Sequence, residues 1–165
     1  MSALGSYALL LALALAGYSF LFGLLALAAR PPGWERLSET ARRAGIASFG
    51  TVLIAAVVLV TSAFRNDFSI AYIFHHSNRD LPLPYKFATL WSGQEGSLLF
   101  WSLLLSGYGL VLRLRHKTDQ ALFAHASVVI AGVQVFFLLL LNFAARPFAV
   151  MQGTLPADGN QSKER

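Results

Sequence analysis

The sequence predicts an all-α integral membrane protein: four transmembrane helices, with a partly helical loop on the outer face between helices 2 and 3. Three observations lead there. Apolar residues make up 56% of the chain and charged residues only 13%. The apolar residues gather into four runs on the scale of a bilayer-crossing helix. The basic residues crowd into two short connections between those runs. A soluble unit of 165 residues has too little interior to hide so much apolar surface, so lipid is the natural solvent.

The first run, Tyr7 to Ala29, holds no charge and would reach about 34 Å as a helix. Ala26-Leu27-Ala28 has the small-residue pattern of a cleavage site. Nothing basic precedes the run, however, and it is long for a secretory h-region, so it is assigned as a span over 7–29. The second run, Ile46 to Phe64, is rich in Val, Ile and Ala. The third, Ser97 to Leu112, is short alone, but neighbouring apolar residues extend it to 95–114. The fourth, Ala121 to Phe143, has His125 and Gln134 as its notable polar insertions. Gln134 is placed to donate a hydrogen bond to a neighbouring helix. Ala12, Ala16, Gly17 and Gly23 in the first span, and Ser106, Gly107 and Gly109 in the third, permit close helix approach. Residues 1–165 then form a single membrane domain with a loop over 65–94.

The connections set the orientation. Arg30, Arg36, Arg42 and Arg43 lie between spans one and two. Arg113, Arg115, His116 and Lys117 lie between spans three and four. The longer loop carries only Arg65, Arg79 and Lys86 against Asp67, Asp80 and Glu95. The positive-inside rule puts both short connections in the cytoplasm, and the long loop and both termini outside. The net charge of +5 therefore follows membrane topology, and no nucleic-acid partner is expected. The absence of cysteine excludes disulfides, thiol chemistry, iron–sulfur ligation and thioether attachment of heme to this chain. No Walker loop, metal-ligand cluster or Ser/His/Asp combination appears, so no catalytic or metal residue is nominated.

The outer loop holds most of the chemical information. Phe68, Tyr72, Phe74, Tyr85, Phe87 and Trp91 suit a headgroup boundary. Leu81-Pro82-Leu83-Pro84 must be extended, because each proline pushes its predecessor out of the α region. Pro84 can then open a short helix running to about Leu90. Ser92 to Glu95 fits a capping box, with the Ser92 hydroxyl accepting from the Glu95 amide at the start of span three. Glu95 thus has a capping reading beside a functional-carboxylate one, and the cap is favoured.

With those residues in place, the loop resembles the CcmF heme lyase family of cytochrome c maturation, which includes NrfE and CycK. The resemblance rests on Asn66-Asp67-Phe68-Ser69, His76-Ser77-Asn78, Pro82 and Pro84 with Tyr85-Lys86, and Gln94-Glu95-Gly96-Ser97 leading into Trp101. Arg146-Pro147-Phe148 and Pro156 to Asn160 continue it after span four. It implies a place in the bacterial inner membrane, with the loop and both termini periplasmic. It also implies heme b as family cofactor. The implied partners are other maturation subunits, a heme chaperone and apocytochrome c. The family is several times longer; its WWD motif and heme-ligating histidines lie downstream and have no counterpart here. The chain therefore reads as a truncated or split homologue whose remaining CcmF part is a further partner, and heme is not expected to be ligated by this chain alone.

His76, Trp91 and Trp101 are the candidate heme contacts. Adjacent His75 and His76 would point about 100° apart on a helix and could not share one face of an iron. Loop hydrogen bonding is the favoured reading for both. Trp91 and Trp101 read first as interfacial anchors and second as porphyrin contacts. His125 reads as a packed or snorkelling side chain, and His116 as solvent-facing. The rival functional class is an assembly subunit, or an inactive fragment, without heme chemistry.

Overall fold

The computed structural model describes residues 1–28, 33–77, 82–114 and 120–150. Asn78, Leu81, His116 and the segment from Pro156 to Asn160 lie outside the described residues.

Four long apolar helices cross the fold: α1 (Ser2–Ala28), α2 (Trp34–Phe64), α5 (Gln94–Leu114) and α6 (Gln120–Leu139). Two short helices, α3 (Ala71–His76) and α4 (Leu83–Ala88), lie between α2 and α5. α1 packs on α2 and α6, and α5 packs on the same two helices, so the order around the bundle is α1–α2–α5–α6. Each long helix keeps an apolar outer face. Tyr7, Leu21, Val57, Val129 and Phe136 are all exposed, as a lipid-facing belt requires. The chain is a membrane protein.

Small residues bring α1 and α2 together. Ala12 and Ala16 are buried, the Ser48 hydroxyl donates to the Ala12 carbonyl at 3.1 Å, and Ala16 borders the same small space as Gly45 and Ser48. Gly17 does not share this role: a Cβ there would meet nothing within 4 Å. Gln134 donates to the Ser102 hydroxyl at 2.8 Å, linking α6 to α5 as its polarity predicts.

α2 begins at Trp34, well ahead of the predicted span 46–64. At 1.5 Å per residue it is about 46 Å long, so its first turns must leave the hydrocarbon. Those turns are held by ion pairs from Glu39 to Arg42 at 2.7 Å and to Arg43 at 2.9 Å. α6 ends in a π-helical turn, Leu140–Ala145, which the apolar pattern does not foretell. There Asn142 donates its amide to the Leu138 carbonyl at 2.7 Å and the Leu9 carbonyl at 3.2 Å, tying the turn to α1.

Candidate functional site

The segment between α2 and α5 folds into a cap over one end of the bundle. α2 stops where Asn66 adopts a left-handed conformation with φ 52°. Asp67 then accepts from the Ser69 amide and hydroxyl, closing a turn. Ile70, Tyr72, Ile73 and Phe74 go inward and join the core. This corrects the reading of Phe68, Tyr72 and Phe74 as interfacial aromatics: all three are buried, whereas Tyr85, Phe87 and Trp91 are exposed. The chain beyond α6 returns to the cap. Arg146 takes a left-handed turn, Phe148 packs on Gly5 of α1, and the Ala71 amide donates to the Ala149 carbonyl at 2.9 Å.

Two polar links hold the cap shut. The Lys86 ammonium, buried in α4, donates to the Asn66 side-chain oxygen at 2.7 Å. The Tyr72 hydroxyl donates to the Thr89 carbonyl at 2.6 Å and accepts from the Gly93 amide at 3.1 Å. Burial pushes the Tyr72 hydroxyl above the ordinary tyrosine pKa, against the opposing pull of its bonds to Ser92 and Gly93. Glycine is required beside it: a Cβ on Gly96 would overlap the Tyr72 hydroxyl, and one on Gly93 would stand 2.5 Å from His76 Nε2.

The predicted residues divide between these links and the cap's surface. His76 stacks on Tyr72 with ring centroids 4.5 Å apart, its Nδ1 lying 3.0 Å from the Tyr72 carbonyl. Ser77 is buried. Pro82, Pro84 and Tyr85 lie exposed along the edge of α4. Ser97 donates its hydroxyl to the Trp91 carbonyl at 3.1 Å. Gln94 and Glu95 occupy the first turn of α5, where a carboxylate complements the helix dipole. The expected capping box is replaced: the Ser92 hydroxyl donates to the Thr89 carbonyl at 3.2 Å, because the short 3₁₀ turn Thr89–Trp91 precedes α5.

Trp91 and Trp101 belong to one surface row. Phe87 meets Trp91 at 5.5 Å, Trp91 meets Phe100 at 5.7 Å, and Phe100 meets Trp101 at 6.4 Å. Trp91 is 45% and Trp101 59% exposed, so the row offers open aromatic faces running from the cap onto α5. Sequence reasoning missed Thr89 and Gly93 as partners of Tyr72. The four-residue spacing from Tyr72 to His76 signals their shared helical face, but no local pattern points to Thr89 or Gly93, which lie 17 and 21 residues further along the chain.

Fold and cap together define a class: a polytopic helical-bundle membrane protein with an aromatic cap at one end. The chain is a homologue of CcmF, the cytochrome c-type biogenesis protein, over a region amounting to about a quarter of that protein's length. It is 34% identical to CcmF of Pseudomonas aeruginosa over 158 residues, covering 95% of this chain and 24% of that protein. Against Escherichia coli CcmF it is 32% identical over 128 residues, covering 77% of this chain and 20% of that protein. Its fold matches the solved cytochrome c heme lyase CcmF with a TM-score of 0.81 at 31% identity, over 93% of this chain and 25% of the other. No family model matches the chain.

Proposed function

We propose that this chain serves cytochrome c maturation in the bacterial inner membrane, helping to deliver heme to apocytochrome c at the periplasmic face. The observation that carries the reading is the homology to CcmF along nearly the whole chain, in sequence and in fold. The cap then faces the periplasm, as do both termini, and its aromatic row is the working surface. The other maturation subunits, a heme chaperone and the rest of a CcmF-type protein are the partners.

Heme, as the family cofactor, would supply the iron whose porphyrin is transferred. The residues of this chain suit contact with a porphyrin edge better than axial ligation. Phe87, Trp91 and Trp101 present open rings. The His76 ring is turned into the cap, between the Tyr72 carbonyl and Gly93. The inward turn of His76 also favours a second reading, an assembly subunit with no heme chemistry of its own.

Exchange of the cap tests the first reading. Residues 66–96 are replaced by an unrelated polar loop, and holocytochrome c yield is measured in a complementation assay. Loss of maturation is expected. An unchanged yield would refute the role of the cap. Soret absorbance of the purified protein separates the two readings, since a pure scaffold carries no heme band.

A further inference from the structure

At the bundle end away from the cap, the four long helices part around a cleft of about 640 Å³. It lies where α1 and α5 run out at Ala28 and Leu114, the level at which a helix meets lipid headgroups. Arg113 lines it from α5.

An arginine one residue from a helix end ordinarily snorkels toward water. Arg113 instead turns inward and is only 7% exposed. Its guanidinium folds back over Gly109, one turn earlier on its own helix, and lies against Gly45 of α2. A Cβ on Gly109 would stand 2.6 Å from the guanidinium, and one on Gly45 2.5 Å from it. Two absent side chains therefore make its berth. A guanidinium has five N–H donors. Among the described residues Arg113 donates only a long 3.4 Å bond, to the Ser19 hydroxyl, and no carboxylate lies within ion-pair distance.

The carboxylates of the cleft are placed differently. Glu39 is already bonded by Arg42 and Arg43. Glu35 is exposed and makes no ion pair among the described residues. Apolar walls come from Leu27, Leu112, Phe123 and Val128.

The geometry points to a binding site for the headgroup of a zwitterionic aminophospholipid, its phosphate on Arg113, its ammonium on Glu35 and its acyl chains along the apolar walls. A fixed buried cation demands an anion with several acceptor oxygens, which a phosphodiester supplies. An anionic headgroup without an amine would bring like charge to Glu35, whereas a zwitterion satisfies both groups. This inference is independent of the role in cytochrome maturation.

The test uses the whole chain, delipidated in detergent, with thermal stability followed during titration. Four additions are compared: phosphatidylethanolamine, phosphatidylglycerol, soluble phosphoethanolamine and inorganic phosphate. Phosphatidylethanolamine should stabilise at the lowest concentration. Arg113→Gln should weaken that effect by about tenfold or more, the loss of one charge-assisted hydrogen bond. The exposed control Arg36→Gln should leave it unchanged, and Arg113→Lys should restore part of it. Glu35→Gln should erase the preference over phosphatidylglycerol. Equal protection by inorganic phosphate would assign the site to a soluble anion and overturn the lipid. Equal response to both lipids in the wild type would overturn the zwitterion, and no response to any addition would overturn the site. Because the wild-type titrations need no variant, poor folding of Arg113→Gln leaves the proposal open to refutation.

Discussion

The Lys86 ammonium lies 2.7 Å from the Asn66 side-chain oxygen, a bond that closes the cap across twenty residues of chain. Lys86 is buried, so its charge depends on that oxygen for compensation. Asn66→Ala should destabilise the cap by about 1–3 kcal/mol through the orphaned ammonium. The left-handed backbone of Asn66 adds strain for alanine. Asn66→Asp should retain the cap. Thermal unfolding in detergent, with limited proteolysis of the 66–96 segment, separates the two variants.

Tyr72 gives a pH signature. Its folded pKa is raised by burial. Above about pH 10 the unfolded chain gives up this proton first. The folded state then binds more protons than the unfolded one, and stability falls as pH rises. The contribution is intact below the unfolded pKa and is lost as pH climbs through the folded one. Tyr72→Phe should cost about 1–3 kcal/mol at neutral pH, by removing the bonds to Thr89 and Gly93. It should also flatten the alkaline limb. A variant whose alkaline loss matches the wild type would show that Tyr72 is not the group responsible.

Gly96→Ala tests the fit from the opposite side. Its new methyl would overlap both the Tyr72 hydroxyl and the Leu90 carbonyl, and the carbonyl is backbone that cannot swing away. Overpacking of this kind costs about 1–3 kcal/mol. Equal melting temperatures for Gly96→Ala and wild type would contradict the packing described.

The four spans were legible because lipid demands long uncharged runs, and Gln134 was legible because a lone amide in such a run needs a partner. The start of α2 was hidden: Trp34 to Arg43 is a charged helix, and apolar periodicity says nothing about turns held by Glu39. The π turn at Asn142 was hidden because apolar periodicity carries no sign of it, and the Asn142 bond to Leu9 that accompanies it is tertiary. In the loop, residue types marked an aromatic, proline-rich segment but not which of its side chains go inward. Phe68, Tyr72 and Phe74 are amphipathic or apolar enough for either a headgroup boundary or a core, and only the packing of α3 onto the bundle decides. Arg113 was read as one of several loop charges, since the room made by Gly109 and Gly45 comes from two different helices.

Gln134→Leu should lower stability by about 1 kcal/mol or less, typical of one interhelical side-chain bond in a membrane. The lost bond to Ser102 is partly offset because the other amide atom, Oε1, is already buried without a partner among the described residues. Unfolding in detergent measures it, and a loss of several kcal/mol would show that the pair anchors α5 to α6 more strongly than this.

The side of the membrane on which the cap works is open to direct measurement, because the chain has no native cysteine. Tyr85→Cys places one thiol on the exposed edge of α4. Intact cells with a permeable outer membrane are treated with a membrane-impermeant maleimide, and labelling is compared before and after lysis. A periplasmic cap gives full labelling before lysis. A thiol that reacts only after lysis would put the cap in the cytoplasm and contradict its proposed role in presenting heme to apocytochrome c.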